Sequence, residues 1–328
     1  MFIRKRYILL VLLCIATLIA GVFYYREFRS LPDFAVSLMT DVEKPGVGDT
    51  VVVFAPHSDD ETVGAGGLIY DSLKNGAKVI VVLITNGDGH TFSTMEDFRK
   101  VYPTAQNYID SGTVRQKESI NALKSLGLDE KNIVFLGYPD HGIKELYSTN
   151  WKVPYQSPYT KQSSSPYSNS QTKKVAYTGD NLENDIIKVL EDYNPTIVVA
   201  PYKYDIHRDH AATYQFIQKA ITDSQDKNIN RVLLYLVHYR RFPYPGGLRK
   251  DRFIAPPAKL VDISVEWQKL AVDAPTLEAK SQALKQYSSQ LGLPILKGFL
   301  ESFLRQNELF VIQGPKLSSD ETDNGSNN

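Results

Sequence analysis

Short apolar runs alternate with segments of helical periodicity along most of this chain. The runs that predict strands are Val51–Phe54, Val79–Ile84, Ile133–Leu136 and Ile197–Ala200. The helical patterns are Val114–Leu126, Asp180–Tyr193, Leu277–Leu291 and Leu296–Arg305. Because strands that alternate with helices form parallel sheets covered by helices, the pattern predicts an α/β fold with a Rossmann-like, mostly parallel sheet flanked by helices. Such sheets bind ligands outside the carboxyl ends of their strands.

An uncharged segment precedes this domain. Tyr7–Tyr25 contains 19 residues without a charge and follows the basic triplet Arg4-Lys5-Arg6. A helix of about 20 apolar residues spans a bilayer, and basic flanks favour the cytoplasmic side. The sequence therefore predicts one N-terminal transmembrane helix. It would be an uncleaved signal anchor of a single-pass cell-membrane protein whose folded domain lies outside the cytoplasm.

Changes in composition divide the chain into four parts. They are an anchor (1–25), a stalk (26–49), one globular domain (50–313) and a disordered polar tail (314–328). Within the domain, Tyr155–Thr172 is rich in Ser, Tyr, Pro and Gln and predicts a long surface loop. If this loop instead folds over a site, Tyr155, Tyr159 and Tyr167 could stack on a ligand.

The charge balance argues against nucleic acid as a partner. The 37 basic and 37 acidic side chains among 328 residues give a net charge of zero, without a broad basic excess to attract a phosphate backbone. Cys14 is the only cysteine, so the chain forms no internal disulfide. A composition of 42% hydrophobic and 23% charged residues fits one globular domain with an ample core.

Candidate chemistry begins at the end of the first predicted strand. The six residues Pro56–Glu61 (PHSDDE) place an imidazole beside three carboxylates. His57 and Asp60 are three residues apart, so they share a face if a helix begins there, and both can reach one ion. Asp59 then points elsewhere and is free for proton transfer. The alternative is that these acidic residues only cap a helix.

A second cluster follows the fourth predicted strand. It comprises Asp205 and the segment His207-Arg208-Asp209-His210. A His-x-x-His pair alone is weak evidence for a metal site, because such pairs are common on protein surfaces. The chain has only six histidines, however, and three of them fall in the two clusters beside carboxylates. The joint pattern indicates a metal-dependent hydrolase, since imidazole and carboxylate are typical ligands of zinc.

Together these segments resemble the PIG-L/LmbE family of zinc-dependent N-acetylglucosamine deacetylases, whose motifs are Pro/Ala-His-x-Asp-Asp-Glu and His-x-x-His. Further similarities are Thr85–Gly89 (TNGDG), Arg115–Glu118 (RQKE) and Leu136–Asp140 (LGYPD). The similarity covers about residues 50 to 312. The chain departs from the family at Ser58, where many members have Pro, and in a long insertion after Asp140, which leaves the substrate open.

The resemblance implies a metal site and a base. His57, Asp60 and His210 are the implied ligands of Zn²⁺, with another divalent ion such as Fe²⁺ as the alternative. Three protein ligands and an open position are the usual form of a catalytic zinc site. Asp59 is the implied general base, which accepts a proton from the attacking water.

The resemblance also implies an acid and contacts to substrate. His207 is the implied general acid, and if protonated and oriented by Asp209 it could either stabilise the oxyanion or donate to the leaving amine. Arg115 and Asp140 correspond to family positions that contact the sugar or its attached group. For these two the alternatives are a solvated arginine at the start of a helix and an aspartate that serves only a turn.

Three other histidines and a glycine cluster have simpler interpretations. His90 and His141 lie in turns after strands and are expected near the rim of the site, although neither matches a family ligand. His238 follows the apolar run Leu233–Val237 and is predicted to be a strand residue. Gly64–Gly67 lacks the lysine of a phosphate loop and predicts the close packing of a helix.

The motifs predict the chemistry, and the anchor predicts where the substrate lies. The expected function is removal of the N-acetyl group from an N-acetylated amino sugar, of the N-acetylglucosamine type, in an extracytoplasmic glycan or glycoconjugate. One alternative is hydrolysis of another amide on a sugar conjugate. A second alternative is a non-catalytic carbohydrate-binding protein.

Overall fold

The computed structural model describes residues 2–28, 33–224, 228–261 and 266–314. Its helices are α1 (Phe2–Phe28), α2 (Asp33–Ser37), α3 (Asp60–Lys74), α4 (Thr91–Phe98), α5 (Ala105–Ser125), α6 (Ile143–Ser148), α7 (Gly179–Tyr193), α8 (Arg208–Asp223), α9 (Ala258–Val261), α10 (Ala274–Leu284), α11 (Ser288–Leu291) and α12 (Pro294–Glu301), with a 3-10 turn at Glu130–Asn132. Its strands are β1 (Thr50–Ala55), β2 (Lys78–Thr85), β3 (Ile133–Tyr138), β4 (Ile197–Pro201), β5 (Arg231–Tyr235), β6 (Trp267–Ala271) and β7 (Asn307–Gln313).

In the described part of the chain, the strands form one seven-stranded sheet in the order β3-β2-β1-β4-β5-β7-β6. The pairs from β3 to β5 are parallel, whereas β7 is antiparallel to both β5 and β6. The strand order reverses at β1, which lies between β2 and β4. A reversal of this kind opens a crevice at the carboxyl ends of the strands. The predicted mostly parallel α/β sheet is confirmed.

Continuous apolar runs form the central strands because helices cover both faces of the sheet. Val51–Ala55 and Val79–Ile84 are completely buried. Helix α3 packs on β1 and β2, α8 packs on β4, and α10 lies against α3 and α5. The start of α3 is therefore held between the sheet and the C-terminal helices.

The predicted strands and two of the predicted helices are confirmed. The four apolar runs lie within β1 to β4, Asp180–Tyr193 lies within α7, and Val114–Leu126 corresponds to the second half of α5. Helix α5 begins earlier than predicted, because the Thr104 side chain and Asn107 form a capping box there. The close packing predicted for Gly64–Gly67 is also present, since a Cβ atom on Gly64 would lie 2.5 Å from the Tyr235 ring.

The C-terminal helices differ from the prediction. Leu277–Leu291 is not one helix, because α10 ends at Leu284 and α11 begins at Ser288. Tyr287 between them is fully buried, and its hydroxyl group donates to Glu61. The apolar spacing continues through this break because the turn buries its residues as a helix would. The helix predicted to reach Arg305 ends at Glu301.

The N-terminal prediction coincides with α1. The side chains of its first residues and of residues 24–28 lie outside the described part. Among the residues that the structure describes, no helix is long and apolar enough to cross a membrane. Residues 29–32 and most of the predicted tail, residues 315–328, also lie outside the described residues.

The segments that the sequence assigned to a stalk and to a long surface loop both pack against the domain. In the predicted stalk, Val36 and Val42 are buried, and the backbone of Val42 bonds to that of Lys269 in β6. In the insertion, Tyr167 is buried and its hydroxyl group donates to Asp88 at 2.7 Å. The insertion has the Ser- and Tyr-rich composition of a surface loop, because buried hydroxyl groups rather than apolar side chains hold it in place.

Candidate active site

The loops that follow β1 to β5 surround a cavity of about 230 Å³ at the carboxyl edge of the sheet. The histidines that line it are His57, His90, His141, His207 and His238. His210 is buried behind this surface, with its ring 5.3 Å from that of His57. All six histidines of the chain therefore converge on one site.

Three side chains meet at one corner of this cavity. Oδ2 of Asp60 lies 3.1 Å from Nδ1 of His57 and 3.0 Å from Nε2 of His210. These two imidazole nitrogens are 3.3 Å apart. Ligand atoms around a four-coordinate zinc ion stand about 3.3 Å apart, since each is about 2.0–2.1 Å from the ion. The structure thus brings together the three predicted ligands with the spacing that a small divalent ion requires.

A carboxylate stands behind each of the two imidazoles. Nδ1 of His210 lies 3.0 Å from Oδ2 of Asp205. Nε2 of His57 lies 3.1 Å from Oδ1 of Asp140 and 3.4 Å from Oδ2 of Asp209. Carboxylates in this position set the tautomer and orientation of metal-binding histidines. They leave the nitrogens that face Asp60 for the ion.

Other groups of three side chains also lie within 4.8 Å of one another. They are His57, His207 and His210; Asp60, His210 and His238; and His57, Asp140 and Asp209. We favour the corner formed by His57, Asp60 and His210, because its three atoms lie 3.0 to 3.3 Å apart. The carboxylates of Asp140 and Asp209 occupy the opposite edge of the His57 ring.

The electrostatics of this corner also fit a cation. Burial alone would raise the pKa of Asp60, but His210 and His57 lower it well below its usual range. Burial alone would lower the pKa of His210, but Asp205 and Asp60 raise it to about 9. Each imidazole is stabilised in its charged form because carboxylates surround it. A divalent ion supplies the same positive charge once the imidazoles are neutral.

Asp59 lies beside this corner, at the residue before α3. Its backbone has φ = 119°, a conformation that is rare for residues other than glycine and that aims the side chain into the cavity. Arg115 donates to its Oδ2 atom at 3.2 Å and to the carbonyl oxygen of Ser58 at 2.6 Å. Burial raises the pKa of Asp59 to about 7, although Arg115 opposes this shift. A carboxylate with this pKa can exchange protons near neutral pH.

His207 lines the cavity beside the metal corner. It is the N-cap residue of α8, and its Nδ1 atom accepts a hydrogen bond from the Asp209 backbone at 3.3 Å. Burial and the neighbouring imidazoles lower its pKa to about 2. A neutral His207 whose Nδ1 atom accepts must carry its proton on Nε2. It is therefore a hydrogen-bond donor in the cavity, rather than a protonated acid, in this state of the protein.

The carboxylate of Asp209 does not orient His207, contrary to the prediction. Its oxygens accept from the backbone N–H groups of His141, at 2.7 Å, and Ile143, at 3.2 Å. Its contact with an imidazole is to His57. The reason is geometric, because a helix N-cap side chain turns back toward its own first turn, whereas the Asp209 side chain projects toward the loop after β3.

Arg115 and Asp140 both line the cavity, but their polar atoms also bind the protein. The Arg115 guanidinium holds the carbonyl oxygens of Ser58 and Gly87. Asp140 accepts from the backbone N–H of Gly89 at 2.9 Å, and its other oxygen faces His57. The alternatives of a solvated arginine and a simple turn aspartate do not hold, because both side chains are buried.

Sequence reasoning missed a part of this site. His238 is not in a strand, since β5 ends at Tyr235, and its ring lies 4.5 Å from that of His210. The backbone N–H groups of Val237 and His238 donate to Asp205 and end the strand there. Three residues of α12 form an apolar wall of the cavity, namely Leu296, Phe299 and Leu300. A polar histidine after an apolar run was the only available signal.

Known proteins resemble this chain in sequence and in fold. The family model described as "PIG-L: GlcNAc-PI de-N-acetylase" matches residues 52–221, about half of the chain. The N,N'-diacetylchitobiose deacetylase from Pyrococcus horikoshii, solved with its inhibitor MPG, has a TM-score of 0.52 at 18% identity, over 90% of this chain and 93% of that chain. A deacetylase of the teicoplanin biosynthesis pathway, solved with bog, has a TM-score of 0.51 at 16% identity, over 83% and 99% of the two chains. At these identities the structural likeness shows a shared fold.

Proposed function

We propose, from the premise that this chain belongs to the PIG-L family, that it is a deacetylase of an N-acetylated amino sugar of the N-acetylglucosamine type. The predicted family is confirmed by the match over residues 52–221. The observation that supports the activity is the convergence of His57, Asp60 and His210 beside Asp59 in one cavity. A pure binding module would have no need of this combination of ligands and base.

In this proposal, His57, Asp60 and His210 hold Zn²⁺ or another divalent ion such as Fe²⁺. Bound there, the ion would polarise the acetyl carbonyl group and would lower the pKa of a water molecule. Asp205 and Asp140 keep the two imidazoles oriented by holding their outer nitrogens.

Asp59 is the proposed base. Its carboxylate removes a proton from the water that attacks the acetyl carbon, and the same group returns the proton to the departing amine. Burial raises its pKa to about 7, so it can take up and release this proton near neutral pH. Arg115 holds the carboxylate in place through the hydrogen bond to its Oδ2 atom.

His207 is the proposed partner of the acetyl oxygen. Its Nε2–H group donates a hydrogen bond to this oxygen as negative charge develops there. Because burial keeps the imidazole neutral, the Nε2–H group of His207 serves only as a hydrogen-bond donor, and His207 does not compete with Asp59 for the proton. Asp140 and Arg115 are proposed to have two roles each. They position His57 and Asp59, and they also contact the sugar.

The test is acetate release by Asp59→Asn, which retains the shape of the side chain and removes the base. We expect activity to fall about 10²- to 10⁴-fold on N-acetylglucosamine oligomers, with the metal content unchanged. Asp192→Asn, on the exposed face of α7, is the matched control and should retain wild-type activity.

Other outcomes of this test discriminate between the alternatives. Full activity of Asp59→Asn would exclude Asp59 as the base. Absence of acetate release by metal-loaded wild type would favour another amide if other acylated sugars are hydrolysed. It would favour a carbohydrate-binding protein if sugars bind and nothing is hydrolysed.

We also propose that residues 1–25 anchor the chain in the cell membrane with the catalytic domain outside the cytoplasm. The 19 uncharged residues from Tyr7 to Tyr25 and the preceding basic triplet support this proposal. The full chain should then sediment with membranes and lose its domain to protease added outside the cell. Recovery of the full chain in the soluble fraction would contradict the proposal.

A further inference from the structure

A buried glutamine of the C-terminal segment lines the catalytic cavity and has no part in the mechanism described so far. Gln290 lies in α11, is 3% exposed and borders the same space as His57 and Asp59. Its Nε2 atom donates to Oγ of Ser93 at 3.1 Å and to Oγ of Ser289 at 3.0 Å. Within the described part of the chain, no hydrogen bond engages its Oε1 atom. One polar atom of this side chain is therefore left for a ligand.

The two serines determine which way the Gln290 amide points. The hydroxyl group of Ser289 donates to the carboxylate of Glu118 at 2.6 Å. Oγ of Ser93 lies 2.6 Å from Nδ1 of His90, and this nitrogen also accepts from the Ser93 backbone at 3.2 Å. A ring nitrogen that accepts carries no proton, so the Ser93 hydroxyl group donates to it. Both serine oxygens can then only accept from Gln290, which fixes its NH2 group toward them and leaves its Oε1 atom for the cavity.

The same hydrogen bonds assign a donor next to this acceptor. His90 also lines the catalytic cavity, and burial lowers its pKa to about 4, so its ring is neutral. Because Nδ1 accepts, the proton of the ring is on Nε2. Ser93 bonds to both side chains, so Gln290 and His90 are neighbours in the wall of the cavity. The wall therefore offers one hydrogen-bond acceptor and one donor side by side.

The acetamide group of the substrate has its partners elsewhere in the proposed mechanism. They are the ion and His207 for its oxygen and Asp59 for its nitrogen. The polar groups of an amino sugar that remain are hydroxyl groups, each of which donates one hydrogen bond and accepts others. A substrate that covered Oε1 of Gln290 without donating to it would remove this atom from water uncompensated, which costs free energy. A hydroxyl group avoids this cost, and its oxygen suits the donor on His90.

We propose that Gln290 is a specificity-determining residue, whose Oε1 atom accepts a hydrogen bond from one hydroxyl group of the sugar while the Nε2–H group of His90 donates to the oxygen of that group. This inference rests on the proposed function and deepens it, because it names the substrate group that the C-terminal segment selects. A site built to bind a hydroxyl group rejects an analogue that lacks it, since the polar atoms of the site are then left unpaired.

Three variants test this role. Gln290→Met removes the acceptor and keeps a side chain of similar length and shape. Ser93→Ala removes one of the two oxygens that hold the amide but leaves the Oε1 atom in place. Gln282→Met makes the same substitution at an exposed position of α10 that does not line the cavity, and is the matched control.

The experiment uses the metal-loaded full chain with N-acetylglucosamine and its deoxy analogues, each of which lacks one of the non-anomeric hydroxyl groups. It measures kcat/KM for each sugar, and the Kd of each sugar in the Asp59→Asn background, where turnover is slow. We expect the wild type to prefer N-acetylglucosamine over one of the analogues by about tenfold. Gln290→Met should lower kcat/KM for N-acetylglucosamine by about tenfold and leave that for the same analogue nearly unchanged. Ser93→Ala should lose part of the preference, and Gln282→Met should retain it.

The outcomes separate this inference from the proposed function. If acetate is released but Gln290→Met lowers kcat/KM equally for all the sugars, Gln290 has only a structural role and the deacetylase stands. If no acetate is released but Gln290→Met abolishes a preference in the Kd values, the contact stands and the deacetylase is wrong. A wild type that does not discriminate among the sugars overturns the inference. If Gln290→Met does not fold, Ser93→Ala decides, because an unchanged preference contradicts the inference and a loss confined to one analogue supports it.

Discussion

Residues 52–221, the family-matched half, and residues 228–314, the C-terminal segment, contribute to this site in different ways. The family-matched half contains the candidate ligands and base, on the loop after β1 and in the first turns of α3 and α8. The C-terminal segment contributes His238 and the apolar wall of the cavity, and it also supports α3 from behind. A motif therefore places the reactive groups, while a segment outside the motif holds them.

Helix α3 shows this dependence most clearly. It begins at Asp60 and is interrupted at Ala65, where φ is −143° and ψ is 15°. Glu308 in β7 accepts from the free N–H groups of Gly67, at 2.7 Å, and Leu68, at 2.9 Å. Lys280 in α10 donates to the carbonyl oxygen of Val63 at 2.8 Å.

The two side chains that satisfy this break also pair with each other. Nζ of Lys280 lies 2.6 Å from Oε1 of Glu308, and both side chains are 2% exposed. Glu308 caps the start of the second part of α3, and Lys280 binds a carbonyl oxygen of the first part. The short first part, which carries Asp60, is consequently fixed by residues more than 200 positions away.

The largest expected effect of a change in the family-matched half is that of His210→Ala. It removes one of three ligands, so bound metal and acetate release should both be lost. The fold should remain, because the variant keeps the apolar core and the strand pairing of the sheet. Metal analysis and circular dichroism measure the two parts of this prediction.

His90→Ala is the matched control for this variant, because His90 lines the same cavity without facing Asp60. It should retain the metal. If His210→Ala binds as much zinc as the wild type, His210 is not a ligand. The C-terminal segment would then contribute more to the chemistry than the family-matched half suggests.

Lys280→Met tests the support that the C-terminal segment gives to α3. It leaves Glu308 as a buried charge without its partner, so the free energy of unfolding should fall by about 3–5 kcal/mol. Metal affinity should also fall, because the first turn of α3 loses its support. Urea unfolding and metal titration are the measurements.

Two comparisons accompany this variant. Lys219→Met removes a lysine whose partners, Asp223 and Glu183, lie nearer the surface, and it should cost at most about 1 kcal/mol. The double variant Lys280→Met/Glu308→Gln should be more stable than Lys280→Met alone, since it removes the unpaired charge. Equal losses for Lys280→Met and Lys219→Met would contradict the proposed support of α3.

Tyr287→Phe should have the smallest effect. Its hydroxyl group bonds to Glu61 and lies 2.9 Å from that of Thr62, so its removal should cost about 1–3 kcal/mol of unfolding free energy. Catalysis should decrease only modestly, because the metal corner keeps its own contacts. Tyr70→Phe, on the opposite end of α3, should be close to neutral, and a thermal melt compares the two.

Local patterns were sufficient for part of this architecture. The four apolar runs predicted β1 to β4 because continuous burial on both faces of a sheet demands such runs. The ligand motif was recognisable because His57 and Asp60 are neighbours in sequence and remain so in space. Both inferences depend on interactions over a few residues.

Long-range contacts defeated other predictions. His238 was assigned to a strand because the apolar run gives no sign that Asp205 captures the next two backbone N–H groups. The break between α10 and α11 was missed for the same reason, since Tyr287 leaves the helix to reach Glu61. In each case a polar partner more than 30 positions away decided the local conformation.

By itself the sequence determined the α/β class and the two motifs of the metal corner. It also located the apolar runs that form the parallel strands β1 to β4. Only the tertiary structure decided that all six histidines meet, that Asp209 faces His57 rather than His207, and that Lys280 and Glu308 complete α3. The reason is that periodicity records which side chains are buried, whereas the partner of a buried polar group is chosen by the packing of distant elements.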